Sequence, residues 1–220
     1  MQKYELTDET RAEYGVTLHR IRALVDIVRY GVKAGDLGGW IESEANLDQE
    51  HEAWVSDEAR VSGKARVYDE ARVSDEAWVS DEARVSGEAQ VSDGAWVFGE
   101  ARVFGEARVF GKAWVSDEAR VFGEARVSKT GHVLTVGPIG HRNDTTTFFR
   151  AAFSTGFTIA VCCGCFRGTL DEFRAKVKQT HGDNKHGTAY QLAADLAALF
   201  LLVAAAFGER GMALLPWPAV

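Results

Sequence analysis

From Val55 to Arg126 the chain reads as twelve uninterrupted six-residue units, each opening with valine and carrying alanine at its fifth place. The third place holds only Asp or Gly, and the sixth holds Arg, Trp or Gln. A period of six does not follow the 3.6-residue turn of an α-helix, so a helix is excluded. If each Ala and the Val two places on point the same way, the residue between them points the other way. Every Ala-Arg-Val or Ala-Trp-Val triplet is then a short strand with ordinary alternation. The intervening Ser/Phe-Asp/Gly-Glu stretch becomes a corner, where Asp and Gly accept backbone angles that other residues resist.

A fixed internal period is the signature of repeat architectures. The pattern here is aliphatic, small or acidic, two variable, small, one variable. It resembles that of the hexapeptide-repeat family from Ile41 to Val133. The resemblance implies a left-handed parallel β-helix, a three-sided prism with three hexads per coil, so that residues eighteen apart stack. Twelve hexads make four coils, about 20 Å tall at a strand spacing of ~4.8 Å. Stacking by eighteen gives three different faces. One reads Arg60, Trp78, Trp96, Trp114 and then His132; the second reads Arg66, Arg84, Arg102, Arg120; the third reads Arg72, Gln90, Arg108, Arg126. Corner acids such as Glu70, Glu88, Glu106 and Glu124 run beside the arginines, which suggests surface ion-pair ladders.

The open ends of a solenoid expose strand edges and need covering. At the front, residues 1–40 form a small β cap in which Ile21, Ala23 and Val25 share one side of a strand. The chain enters the prism through Ile41, Ala45 and Leu47, and the passage to Val55 is two residues longer than a hexad, which predicts a loop near His51. Residues 41–133 are the β-helix, and residues 134–220 form a C-terminal ββαα unit. In that unit Thr169 caps a first helix, and an apolar second helix begins near Thr188 and is read as buried. No role is legible in the tail GERGMALLPWPAV.

Composition narrows the classes. With 46% apolar and 26% charged residues the chain has the profile of a folded soluble protein. A net charge of −7, and 15 acids against 10 bases within Val55–Arg126 for a local net of −5, speak against nucleic acid as a partner. DNA mimicry by an acidic rod is disfavoured too, because arginines interleave with the acids. The N-terminus lacks the basic and apolar regions of a secretory signal. The three cysteines all fall within Cys162–Cys165, which suits a reducing compartment. A cytoplasmic location follows as the expectation, with no membrane partner, since the apolar run Leu196–Phe207 is too short to span a bilayer.

Four places have candidate chemistry. Many β-helix proteins of this resemblance are trimeric acyltransferases with a His base, but the twelve hexads contain no His; only His51 and His132 flank them. Cys162 and Cys165, followed by His181 and His186, have the spacing of a structural zinc site. Against zinc stands the commoner reading of buried free thiols in an apolar strand, so no cofactor is expected. Arg142 and Asn143 in the turn GPIGHRND, with His181, Lys185 and Tyr190 beyond, offer a cradle for a phosphate or nucleotide-type ligand; a turn with solvated charges is the plainer alternative. Trp78, Trp96 and Trp114 make an aromatic stripe of the kind that marks an interface, here between copies of this chain, with a trimer favoured.

The segments KYELTDETR, GGWIESEANL, the VSDEARVSG repeats, GPIG-RND and GCFRGTLDEF are together similar to hexapeptide-repeat proteins of bacteriophages and prophages. That similarity implies a viral or mobile-element origin; a host protein or a nucleotide-type ligand is the expected partner. The expected function is a non-enzymatic binding scaffold that antagonises a host defence system; the alternative is an acyltransferase.

Overall fold

In a computed structural model the described residues are 2–140, 142–153 and 156–207; the tail 208–220 lies outside them. The repeats form a parallel β-solenoid of about five turns, with strands eighteen residues apart in hydrogen-bonded register. Every first-place Val and fifth-place Ala of the twelve units is buried, none more than 1% exposed. Three sheets are visited in turn. One ends in Arg60–Val61, Trp78–Val79, Trp96–Val97 and Trp114–Val115, one runs from Arg66–Val67 to Arg120–Val121, and one runs from Trp54–Val55 to Arg126–Lys129.

The third place of the unit explains its two-letter alphabet. All twelve residues there are left-handed, the six Asp at φ 55–59° and the six Gly at φ 64–71°, a region closed to most side chains but open to Gly and tolerable for Asp. Asp adds a bond that Gly lacks. The carboxylates of Asp69, Asp81 and Asp93 accept from the backbone N–H of Gly87, Gly99 and Gly111, one coil on, at 3.1, 3.0 and 2.9 Å.

The front cap is built on long-range bonds. Strands β1 (Tyr4–Glu13) and β2 (Val16–Ala23) form a hairpin closed by Tyr14 and Gly15, both at positive φ as two-residue hairpin loops require. β2 pairs antiparallel with β3 (Leu37–Ile41), and β3 pairs parallel with Arg60–Val61, so the hairpin extends the tryptophan-bearing sheet. The extra residues near His51 do form a loop, and it seats the N-terminus. Lys3 Nζ donates to the carbonyls of His51 and Ala53, each at 2.7 Å. Gln49 Oε1 accepts from the N–H of Lys3 and Tyr4 at 2.8 and 3.2 Å. Burial pulls the Lys3 ammonium down to about 8, against the opposing pull of Asp48 and Glu52.

One inward position differs from the sequence expectation, and one outward position is buried. Ala45 is exposed and Asn46 is buried instead, because a single 3-10 turn at Glu44–Asn46 advances the register. Its amide donates to the carbonyls of Gly63 and Ala65 at 3.1 and 2.8 Å. Trp54 stands in register with Arg72, where side chains point outward along the column, yet it is 1% exposed. Gly38 makes room for it: a Cβ there would lie 2.7 Å from the indole and 2.6 Å from Ile21.

The C-terminal unit has four strands where two were expected: β4 (Val133–Ile139), β5 (Asp144–Phe153), β6 (Gly156–Cys163) and β7 (Phe166–Thr169), an antiparallel meander. The left-handed residues Gly140 and Asn143 stand between β4 and β5, and Gly164 stands between β6 and β7. β5 crosses the end of the solenoid through an Ala125–Ala151 bridge and an Arg120 N–H to Thr147 Oγ1 bond of 3.0 Å. Helices α1 (Leu170–His181) and α2 (Lys185–Phe207) cover the other face of the meander. Thr169 caps α1 as expected, reciprocally with Glu172. α2 departs from the buried reading. Tyr190, Ala193, Ala194, Ala197 and Leu201 pack inward, while Leu192, Leu196, Leu199 and Phe200 are 63, 51, 65 and 40% exposed. Three of the inward positions are alanines, which place the helix close to the sheet and leave its larger leucines outside. No helix of the described residues is long and apolar enough to cross a membrane.

Candidate functional site

The tryptophan column is longer than the hexads alone indicate. It runs Trp40, Arg60, Trp78, Trp96, Trp114 in parallel register. The rings of Trp78 and Trp96 meet edge-on at 5.2 Å, and those of Trp96 and Trp114 stack at 5.5 Å. Tyr14, from the hairpin tip, adds a ring 4.7 Å from Trp78, and Phe98 adds one 6.4 Å from Trp114. Only the hairpin's fold over this face brings Tyr14 there, so no local signal announces it. Coverage falls along the column. Trp40 is 5% exposed beneath Arg11 and Arg20, whereas Trp96 and Trp114 are 36 and 50% exposed.

His132 does not continue the column. A 3-10 turn, Thr130–His132, tucks it under the cap, where it is 8% exposed. Arg150 Nη1 faces its Nε2 at 3.1 Å and the Ser128 N–H points at its Nδ1 at 3.3 Å, so both ring nitrogens meet donors and a second ring proton is disfavoured. Burial first, then Arg150 and Lys129, pull the imidazole from 6.5 down to about 4. The native ring therefore stays neutral where an unfolded one gains a proton, and stability falls as pH drops from about 6.5 to about 4. The expected loss is about 2 kcal/mol after allowance for partial solvent screening. Urea titrations at pH 7 and pH 5 measure it, and His132→Gln should remove that part of the slope; an unchanged slope in the variant refutes the assignment.

The arginine faces are not ion-pair ladders. Cross-coil pairs occur at Lys64–Glu82, 2.8 Å, and cap pairs at Arg60–Glu13, 3.2 Å, and between Arg29 and Glu88. Among the described residues, Arg66, Arg84 and Arg102 make no ion pair and stand exposed. Their side chains leave mid-strand, while the glutamates sit on corners across a bend of the solenoid.

The C-terminal unit contains a cavity of about 220 Å³ between the meander and the helices. Phe166, Phe173, Val177 and Tyr190 form its apolar wall, and Arg142, Lys176 and His181 stand with Asp144 around it. Cys163 and Cys165 also line it. Thr146 Oγ1 donates to Cys163 Sγ at 3.2 Å. Tyr190 is pushed up to about 12 by burial, with Cys163 and Asp144 adding to the effect and Arg142 opposing it. A Cβ at Gly140 would overlap the Tyr190 hydroxyl, so the turn closes over that ring only because the residue is glycine.

Of the five residues read from the sequence as a ligand cradle, Arg142, His181 and Tyr190 meet here. Asn143 faces a separate depression with Asp117, Glu118 and Thr145, and Lys185 opens α2 without lining the cavity. Lys176 and Cys163 were not singled out by sequence spacing, because only the packing of α1 on β6 brings them in. The zinc set is divided. Cys165 and His181 share the cavity, and the His186 ring lies tilted to that of His181 at 6.3 Å. Strand alternation puts Cys162 on the opposite face of the sheet from Cys163, buried, with its thiol pushed up by that burial against the pull of Arg120 and Arg167. Among the described residues no group of three or more His, Cys, Asp and Glu side chains is placed to hold a metal ion.

No protein-family model matches the chain, and no curated protein matches it.

Proposed function

We propose that the chain is a non-enzymatic binding scaffold, a left-handed hexapeptide-repeat β-helix of the phage type that assembles into a trimer through its tryptophan face. The observation that supports this most is the exposure of Trp96 and Trp114, 36 and 50%, within one continuous aromatic stripe on a flat parallel sheet. Stacked indoles in water are costly, and a second copy is the surface always present to cover them. Replacement of Trp78, Trp96 and Trp114 by Ser should convert the assembly to monomers in light scattering while leaving circular dichroism unchanged. A variant of unchanged mass refutes assembly through this face.

In this reading the C-terminal unit is the ligand-binding part, and its cationic cavity supports a small nucleotide-type or other anionic ligand. Binding such a ligand, or a host protein, in the bacterial cytoplasm would blunt a host defence signal; calorimetry against cyclic and ADP-ribose-type nucleotides tests it. The competing acyltransferase reading needs a His base between neighbouring subunits. His51 is solvated and bonded to Asp48 Oδ2 at 2.6 Å, and His132 is held neutral under Arg150. Transfer of an acyl group from acyl-CoA, abolished by His51→Ala, would put the enzyme in place of the scaffold.

A further inference from the structure

Size and lining together restrict what the C-terminal cavity takes. An apolar cavity of about 150 Å³ holds one benzene ring, and full cofactor sites run from about 300 Å³ upward. At about 220 Å³, this one has room for a single six-membered ring and one small substituent. Its wall suits the ring. Phe173 stands edge-on to Tyr190 at 5.8 Å and is tilted against Phe166 at 5.5 Å, so the cavity has aromatic surfaces already fixed in place.

The charges suit an anionic substituent. Arg142 and Lys176 line the same cavity as His181, against the single carboxylate of Asp144. Both residues are exposed, and the Lys176 ammonium is held by one bond, to Gln179 Oε1 at 3.2 Å, which leaves it further donors for a ligand. The thiol at the floor is already committed, since Cys163 accepts from the fully buried Thr146. A ligand therefore gains little from hydrogen bonds at the floor and most from the wall and the two cations.

We propose that this cavity binds a small cyclic carboxylate or phosphate, with its ring against Phe166, Phe173 and Tyr190 and its anionic group on Arg142 and Lys176. The inference rests on the reading of the C-terminal unit as ligand-binding and narrows it to a ligand smaller than a complete nucleotide. Cys163 and Cys165 provide a built-in reporter, because a ligand seated in the cavity shields both thiols.

The test is alkylation of the full-length protein by iodoacetamide, read residue by residue in mass spectra, with and without benzoate or phenyl phosphate at millimolar concentration. Either anion should slow modification of Cys163 at least fivefold, while benzyl alcohol, with the same ring and no charge, should not. Arg142→Gln and Lys176→Gln, both on the surface, should each raise the benzoate concentration needed for half-maximal protection about tenfold. Protection by benzyl alcohol equal to that by benzoate overturns the role of the cations. No protection by either anion, with calorimetric binding of an ADP-ribose-type nucleotide, overturns the ligand class and leaves the ligand-binding reading standing. No protection and no nucleotide binding overturns both.

Discussion

Gly105→Val is expected to cost at least about 3 kcal/mol, whereas Gly105→Asp at the same corner should be close to neutral. Gly105 sits at φ +71°, and a Cβ there would lie 3.0 Å from the backbone nitrogen of Gly123. A β-branched side chain has to meet both demands, left-handed strain of about 1–2 kcal/mol and a contact with rigid backbone that cannot yield. Asp meets them because the same step already exists in this column two coils lower. There Asp69, at φ 59°, stacks under Gly87 and accepts its N–H at 3.1 Å. Urea unfolding followed by circular dichroism distinguishes the two variants. Equal losses for Val and Asp would show that the corner responds to bulk alone and not to backbone conformation.

The second large effect concerns two residues in the same local sequence. Ala53-Trp54-Val55 and Ala95-Trp96-Val97 are identical triplets, yet Trp54 is 1% exposed and Trp96 36%. Trp54→Ala should cost about 3–5 kcal/mol, as removal of a buried indole usually does, and hydrogen exchange should rise first at β1–β3 and the strand Trp54–Val55. Trp96→Ala, measured on monomeric protein at high dilution, should cost under about 1 kcal/mol. Comparable losses would contradict a cap that docks on Trp54.

That contrast marks the limit of sequence reading here. The strands, the corners and the eighteen-residue stack were legible because each is set within one short unit, and the Asp-or-Gly alphabet points directly at a left-handed corner. Whatever joins distant segments was not legible. Lys3 reaching His51 and Ala53, Tyr14 lying over Trp78, and the indole of Trp54 covered by the cap all depend on how residues 1–40 fold back on the first coil. The ββαα reading missed two strands because tight reversals, at Gly140 and Asn143 and again at Gly164, fold each extended run back on itself within a few residues. Charge proximity in sequence likewise overstated the ion pairs, since a bend lies between Arg84 or Arg102 and the nearest glutamates. The candidate cavity was half legible: Arg142, His181 and Tyr190 were found, and the α1 residue Lys176 was not.

The uniform Val and Ala interior has a last consequence, for how such a rod changes length. Since each coil's interior is built like the next, eighteen residues are the natural quantum of growth. Excising one such block keeps every column in line and lowers the C-terminal unit by one strand spacing. Excising a single hexad leaves each local triplet intact but swings everything above the cut around the axis by a third of a turn. The tryptophans would then continue onto the arginine column, and the cavity would face another side of the prism. Length in this protein is adjustable, but only in whole coils does it leave the directions of its tryptophan face and its C-terminal cavity unchanged.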